Sequence, residues 1–129
     1  MNDHRFAGRR VLVVEDEFII ALNLCRSLEV NGAIVVGPLA SIADAMDVMD
    51  AISPIDAAVL DVQLSEGNVF ALAELLEEKD VPYIFTTALA RNSLPERFRS
   101  APICQKPVPD DDIINVLRSE EHTSELQSR

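Results

Sequence analysis

RVLVVEDEFIIALNLCRSLEVNGAIVV, residues 10–36, decides how the rest of the chain is read. It opens on an unbroken apolar run, Val11 to Val14, without the polar alternation of a strand that has one wet face. A segment with apolar residues three and four apart follows, marked by Phe18, Ala21, Leu22, Cys25 and Leu28. Asn31-Gly32 stops that segment, and a second apolar run, Ala33 to Val36, begins at once. Unbroken runs rich in Val and Ile suit strands covered on both faces. A strand, a helix and a strand in succession form a parallel crossover unit.

The same alternation continues down the chain. Further apolar runs stand at Ala57 to Leu60, Tyr83 to Phe85 and Pro102 to Cys104. Ile42, Ala45, Met46 and Met49 mark a second helix, with Ser41 and Asp44 placed as its N-terminal cap. Val69, Leu72, Ala73 and Leu76 mark a third. Ile113, Val116 and Leu117 mark the last, with Asp110, Asp111 and Asp112 at its positive end. Arg91 to Phe98 has room for little more than two turns, which predicts a short or irregular helix. The pattern predicts an α/β fold, a doubly wound five-stranded parallel sheet in a three-layer sandwich.

With 129 residues, 48% of them hydrophobic, the chain can build one domain around one real core. A net charge of −11 argues against an electrostatic grip on nucleic acid or an anionic membrane, which needs clustered Lys and Arg. It suits docking to basic surfaces and a site that collects cations, although much of it simply aids solubility. Cys25 and Cys104 have no CxxC neighbour and no His at metal-ligand spacing. Two buried, reduced thiols and a cytoplasmic location are expected rather than a zinc site. MNDHRFAGRR, at the start, has no apolar signal-peptide core, and no stretch is long enough to span a bilayer.

In an open α/β sheet, ligands bind outside the carboxyl ends of the strands, where strand order reverses. The first run ends in Glu15-Asp16-Glu17, the third in Asp61, the fourth in Thr86-Thr87-Ala88 and the fifth in Lys106-Pro107. Each alone has an ordinary explanation as a helix cap, a surface lysine or a strand-forming threonine. Converging from four strand ends, they are hard to explain as caps. Clustered carboxylates without His or Cys favour a hard, oxygen-seeking cation such as Mg²⁺. A carboxylate can attack phosphorus to form an aspartyl phosphate, and a metal and a lysine can neutralise the transferred oxygens. Neither GxGxxG nor GxxxxGK[ST] is present, so nucleotide binding is not expected.

The order VLVVEDE, AAVLDVQL, IFTTA, QKP resembles the receiver domain of bacterial two-component response regulators, over residues 10–118. The resemblance implies a flavodoxin-like fold and a phosphorylation-dependent signalling switch. Asp61 would accept a phosphoryl group from a sensor histidine kinase or a histidine phosphotransfer protein, and the altered surface would control an unknown downstream partner. No enzyme activity is implied beyond self-phosphorylation and autodephosphorylation. Asp16 and Asp61 would ligate Mg²⁺, Glu15 would act through a metal-bound water, and the backbone carbonyl of Gln63 would add a ligand. Thr87 would turn toward the phosphoryl group, Lys106 would pair with it, and the Lys106–Pro107 peptide is often cis in the family.

Several positions depart from the commonest receiver pattern. Ile103 stands where an aromatic switch residue is usual, and Gln63-Leu64-Ser65-Glu66-Gly67 replaces a Met-Pro turn. The stretches VPYIFTTALA and LPERFRSAPICQKPV are similar to the single-domain FAT GUY receivers of alphaproteobacteria, without their Gly and Tyr. A switch through Thr87, Phe98 and Ile103 is the expectation that remains. Two other functions could use these residues. One is a hydrolase with an aspartyl nucleophile, which wants a second acid where Gln63 stands; the other is an unphosphorylated docking module. Residues 1–9 are expected to be an N-terminal extension. Residues 119–129 are expected to be a non-native or disordered tail, since the stretch RSEEHTSELQS, Arg118 to Ser128, resembles the in-frame translation of a sequencing-library adapter.

Overall fold

The computed structural model describes residues 6–51, 54–64 and 67–127, with side chains to residue 120. Ser65 and Glu66 of the Gln63–Gly67 stretch, and residues 1–5 and 128–129 of the expected extension and tail, lie outside them. The strands are β1 (Arg10–Val14), β2 (Ile34–Leu39), β3 (Ala57–Asp61), β4 (Tyr83–Thr87) and β5 (Ile103–Gln105). They form one parallel sheet in the order β2-β1-β3-β4-β5. This is the doubly wound α/β fold that the alternating pattern predicts, and the flavodoxin-like form that the resemblance implies, with strand order reversing between β1 and β3.

Helices α1 (Phe18–Val30), α2 (Ile42–Ala51), α3 (Val69–Glu78) and α4 (Asp110–Gln127) complete the sandwich. Neighbouring strand residues point to opposite faces, so each strand feeds two cores. Leu12, Val14, Ala58, Leu60 and Phe85 pack toward α2 and α3. Val11, Val13, Ala57, Val59 and Ile84 pack toward α1 and α4. Local signals hold the helix ends: the Asp44 N–H donates to Ser41 Oγ at 3.2 Å, and the Phe70 N–H to Asn68 Oδ1 at 2.9 Å. Between β4 and β5 there are only two 3₁₀ turns, Arg91–Ser93 and Glu96–Phe98, as the shortness of that segment predicts. Both cysteines are free and buried; burial pushes the Cys25 thiol up to about 11, which leaves it protonated and unreactive.

Three details differ from the expectations. On α1 the buried stripe is Ala21, Leu24, Cys25 and Leu28, while Phe18 is 69% exposed and Leu22 also faces solvent. The run Phe18-Ile19-Ile20-Ala21-Leu22 is apolar on every side of the helix, so its periodicity has no unique phase. Phe6, inside the expected 1–9 extension, is fully buried among Leu24, Leu28 and Leu117. Its N–H donates to the Asn31 carbonyl at 3.0 Å, so the packed domain reaches back to Phe6. The backbone of α4 stays helical to Gln127, across most of the 119–129 tail expected to be non-native or disordered, and the difference concerns disorder alone. Extending an existing helix through Glu, Leu and Gln is far easier than nucleating one. The last fully buried side chain among the described residues is Leu117.

If Phe6 belongs to the core, Phe6→Ala should cost about 3 kcal/mol in urea unfolding. A loss below about 0.5 kcal/mol, typical of a surface substitution, would return residues 6–9 to the status of an appendage.

Candidate functional site

Parallel register makes the carboxyl ends of the central strands flush. Val14 of β1 is opposite Leu60 of β3, Asp61 is opposite Thr86 of β4, and Thr87 is opposite Gln105 of β5. The residues just past these pairs therefore meet at one mouth. Glu15 and Asp16 follow β1, Asp61 and Thr87 are the last residues of β3 and β4, and Lys106 follows β5. All five gather as the sequence pattern predicts.

Burial and bonding are unequal among them. Asp61 is 1% exposed, and Glu15 and Thr87 are also buried. Lys106 Nζ donates to Glu15 Oε1 at 2.9 Å and lies 3.6 Å from Asp61 Oδ1, so one ammonium serves two buried carboxylates. Glu15 Oε2 accepts the Glu17 N–H at 3.1 Å, and Asp61 Oδ1 accepts the Gln63 N–H at 2.9 Å. Carboxylate oxygens of Glu15, Asp16 and Asp61 all come within 4.8 Å of one another.

This crowding perturbs both ends of the ion pair. Burial pushes the Asp61 carboxyl up to about 6; the Gln63 N–H and Lys106 pull it down, and the Glu15 carboxylate pushes it further up. Burial opposes the charge on Lys106, but Glu15, Asp61 and Glu17 outweigh it and hold the ammonium above its ordinary value. Three carboxylates against one ammonium leave the mouth short of positive charge. An all-oxygen donor set of this kind fits a hard divalent cation and offers nothing to a thiophilic metal.

Pattern alone does not reveal where the Gln63 side chain reaches. In the structure its amide oxygen reaches across to β4. The Ala88 N–H donates to Gln63 Oε1 at 2.9 Å, and Thr87 Oγ1 lies 3.5 Å from the same oxygen. Thr87 Oγ1 in turn accepts the Leu89 N–H at 3.0 Å. The Lys106–Pro107 peptide is cis, as the resemblance implies. Beside the mouth a groove of about 440 Å³ runs between α1 and α4, lined by Ile20, Leu24, Val108 and Ile113 among others.

With this geometry in place, relatives become informative. No protein-family model matches the sequence. The BeF3-activated conformation of SdrG from Pseudomonas melonis Fr1 is 38% identical, with a TM-score of 0.71, over 86% of this chain and 94% of that one. The chain belongs to the response regulator receiver family. The response regulator PhyR from Brucella abortus is similar at 26% identity and a TM-score of 0.78, over 97% of this chain and 52% of PhyR. The transcriptional regulatory protein PdtaR of Mycobacterium tuberculosis is 30% identical over 94 residues, 72% of this chain and 45% of PdtaR. The receiver chain thus spans about half the length of the curated relatives it matches. Membership supports a role in two-component signalling. Among the described residues no helix is long and apolar enough to cross a membrane.

The raised Asp61 value carries a sign that can be checked in metal-free protein. The carboxyl titrates near 3.8 when ordinary and near 6 here, so the folded form binds more protons between those values. Its contribution to stability therefore falls as pH rises from about 4 to about 6 and stays low above that. At pH 7 without metal, Asp61→Asn should be more stable than the parent by about 1 kcal/mol, the loss of the Lys106 pair offsetting part of the relief. Mg²⁺ should raise the melting temperature of the parent and not of the variant. A destabilised Asp61→Asn, or equal Mg²⁺ stabilisation of both, would contradict this electrostatic picture.

Proposed function

We propose that this receiver domain is a phosphorylation switch in which Asp61 takes the phosphoryl group. The observation that carries the reading is the buried Asp61 carboxylate, with Lys106 Nζ 3.6 Å from one oxygen and the Glu15 and Asp16 carboxylates alongside. The donor would be the phosphohistidine of a sensor kinase or a histidine phosphotransfer protein. An Asp61 oxygen bonds to phosphorus as the phosphorus–nitrogen bond breaks. The electron pair stays on the imidazole, which takes up a proton, and the product is an aspartyl phosphate.

Asp16, Asp61 and the Gln63 backbone carbonyl would hold Mg²⁺ directly, and Glu15 would hold it through water. The bound ion would supply charge neutralisation for the phosphoryl oxygens. Lys106 is positioned to leave Glu15 and pair with the new phosphoryl charge. Thr87 and the Ala88 N–H, at the end of β4, are the donors available to its oxygens. Phe98 stacks on Phe70 at 5.0 Å and meets Phe85 of β4 edge-on, which supports a readout through β4 and the 3₁₀ turns. These turns in place of a helix also favour kinship with the FAT GUY receivers. The expected setting is cytoplasmic, with a protein partner downstream and no direct contact to nucleic acid.

A hydrolase would need an acid or base two residues past Asp61 to activate water, and the Gln63 amide can serve as neither. The domain should therefore take up about one phosphoryl group per chain from acetyl phosphate and Mg²⁺, lose it only by slow autodephosphorylation, and not turn over phosphomonoesters. Removing Mg²⁺ with EDTA should slow uptake at least about a hundredfold. Steady multiple turnover of phosphomonoesters, or full uptake by Asp61→Asn, would overturn the reading.

A further inference from the structure

Gln63 makes two contacts that the switch reading does not require. Its main-chain N–H donates to Asp61 Oδ1 at 2.9 Å, so the residue is tied to the proposed acceptor carboxylate. Its side-chain oxygen accepts the Ala88 N–H at 2.9 Å and lies 3.5 Å from the Thr87 hydroxyl. These are the two donors at the end of β4 that a phosphoryl group on Asp61 could recruit. A neutral carbonyl from the neighbouring turn already holds them.

We propose that the Gln63 side chain is a latch that occupies a phosphoryl oxygen's position on the Thr87–Ala88 donors and must be displaced when the domain is phosphorylated. This rests on Asp61 being the phosphoacceptor. A phosphoryl oxygen carries charge, and hydrogen bonds to charged acceptors are roughly twice as strong as those to neutral ones. The phosphoryl group therefore wins the donors, and the amide swings out toward solvent, where Gln63 is already exposed. The latch has two consequences. It sets back the affinity for any phosphoryl-like ligand by the worth of the contact it gives up. It also joins the β3 turn to the segment after β4, because the Leu89 N–H bonds to the same Thr87 hydroxyl. Gln63 is thus a positioning residue, acting through Thr87 and Ala88 and not on the reacting atoms.

Gln63→Met keeps the length of the side chain and removes the amide acceptor; Gln63→Ala removes both. With beryllofluoride and Mg²⁺ as the probe, both variants should bind about fivefold more tightly than the parent, the size of one lost competing hydrogen bond. The Ala88 amide resonance should differ between parent and Gln63→Met in the free proteins and coincide once both are saturated. A purely steric role predicts that Gln63→Met behaves as the parent and only Gln63→Ala binds more tightly, and that result removes the latch. Affinities of both variants within about twofold of the parent also remove it, while leaving Asp61 as acceptor. A parent protein that binds no beryllofluoride sinks the acceptor reading and the latch with it.

Discussion

Everything at the mouth of the sheet turns on one unbalanced arrangement, two buried carboxylates sharing a single ammonium. Glu15 has the close contact with Lys106, and Asp61 has the longer one. Asp61 is left with too little compensating charge, and its proton affinity rises accordingly. Such a group is costly to keep in an otherwise well-packed domain, because a buried charge needs a partner. The arrangement becomes favourable once more positive charge arrives. Under the proposed function the bound cation relieves a tension that the apo fold already contains.

The fold supplies that arrangement by register and little else. Central strands end level with one another, so residues far apart in sequence arrive at one edge without any special loop. Packing fixes the ends in turn: Leu60 and Phe85 are fully buried and stand directly before Asp61 and Thr86. The β4 end is therefore held by packing on its apolar side. The aromatic group of Phe70, Tyr83, Phe85 and Phe98 sits behind that end, where a conventional helix is replaced by 3₁₀ turns. Arg97 closes over it, stacking on Phe98 and pairing with Glu77 at 2.8 Å.

The sheet and the gathering of the candidate site residues were largely legible from residues alone, for physical reasons that can be named. Strands buried on both faces leave unbroken apolar runs, and a carboxylate directly after such a run, as at Leu60-Asp61, has few purely structural uses. What stayed hidden depends on tertiary context. Phe6 is one aromatic in a polar decapeptide, with no periodicity to mark it. The apolar excess of residues 18–22 masked which face of α1 turns inward. The Gln63 side chain could have pointed anywhere on its turn, and only the β3–β4 register brings it to Ala88. Helix propagation past residue 118 reflects composition that a search for a packed, amphipathic face passes over.

The most direct test of this electrostatic account is a ¹³C NMR titration of the side-chain carboxyls of Glu15, Asp16 and Asp61. Without metal, Asp61 should titrate near 6. At neutral pH, added Mg²⁺ should move all three signals along one binding curve. An Asp61 that titrates as an ordinary carboxyl near 3.8, with three signals indifferent to Mg²⁺, would contradict it.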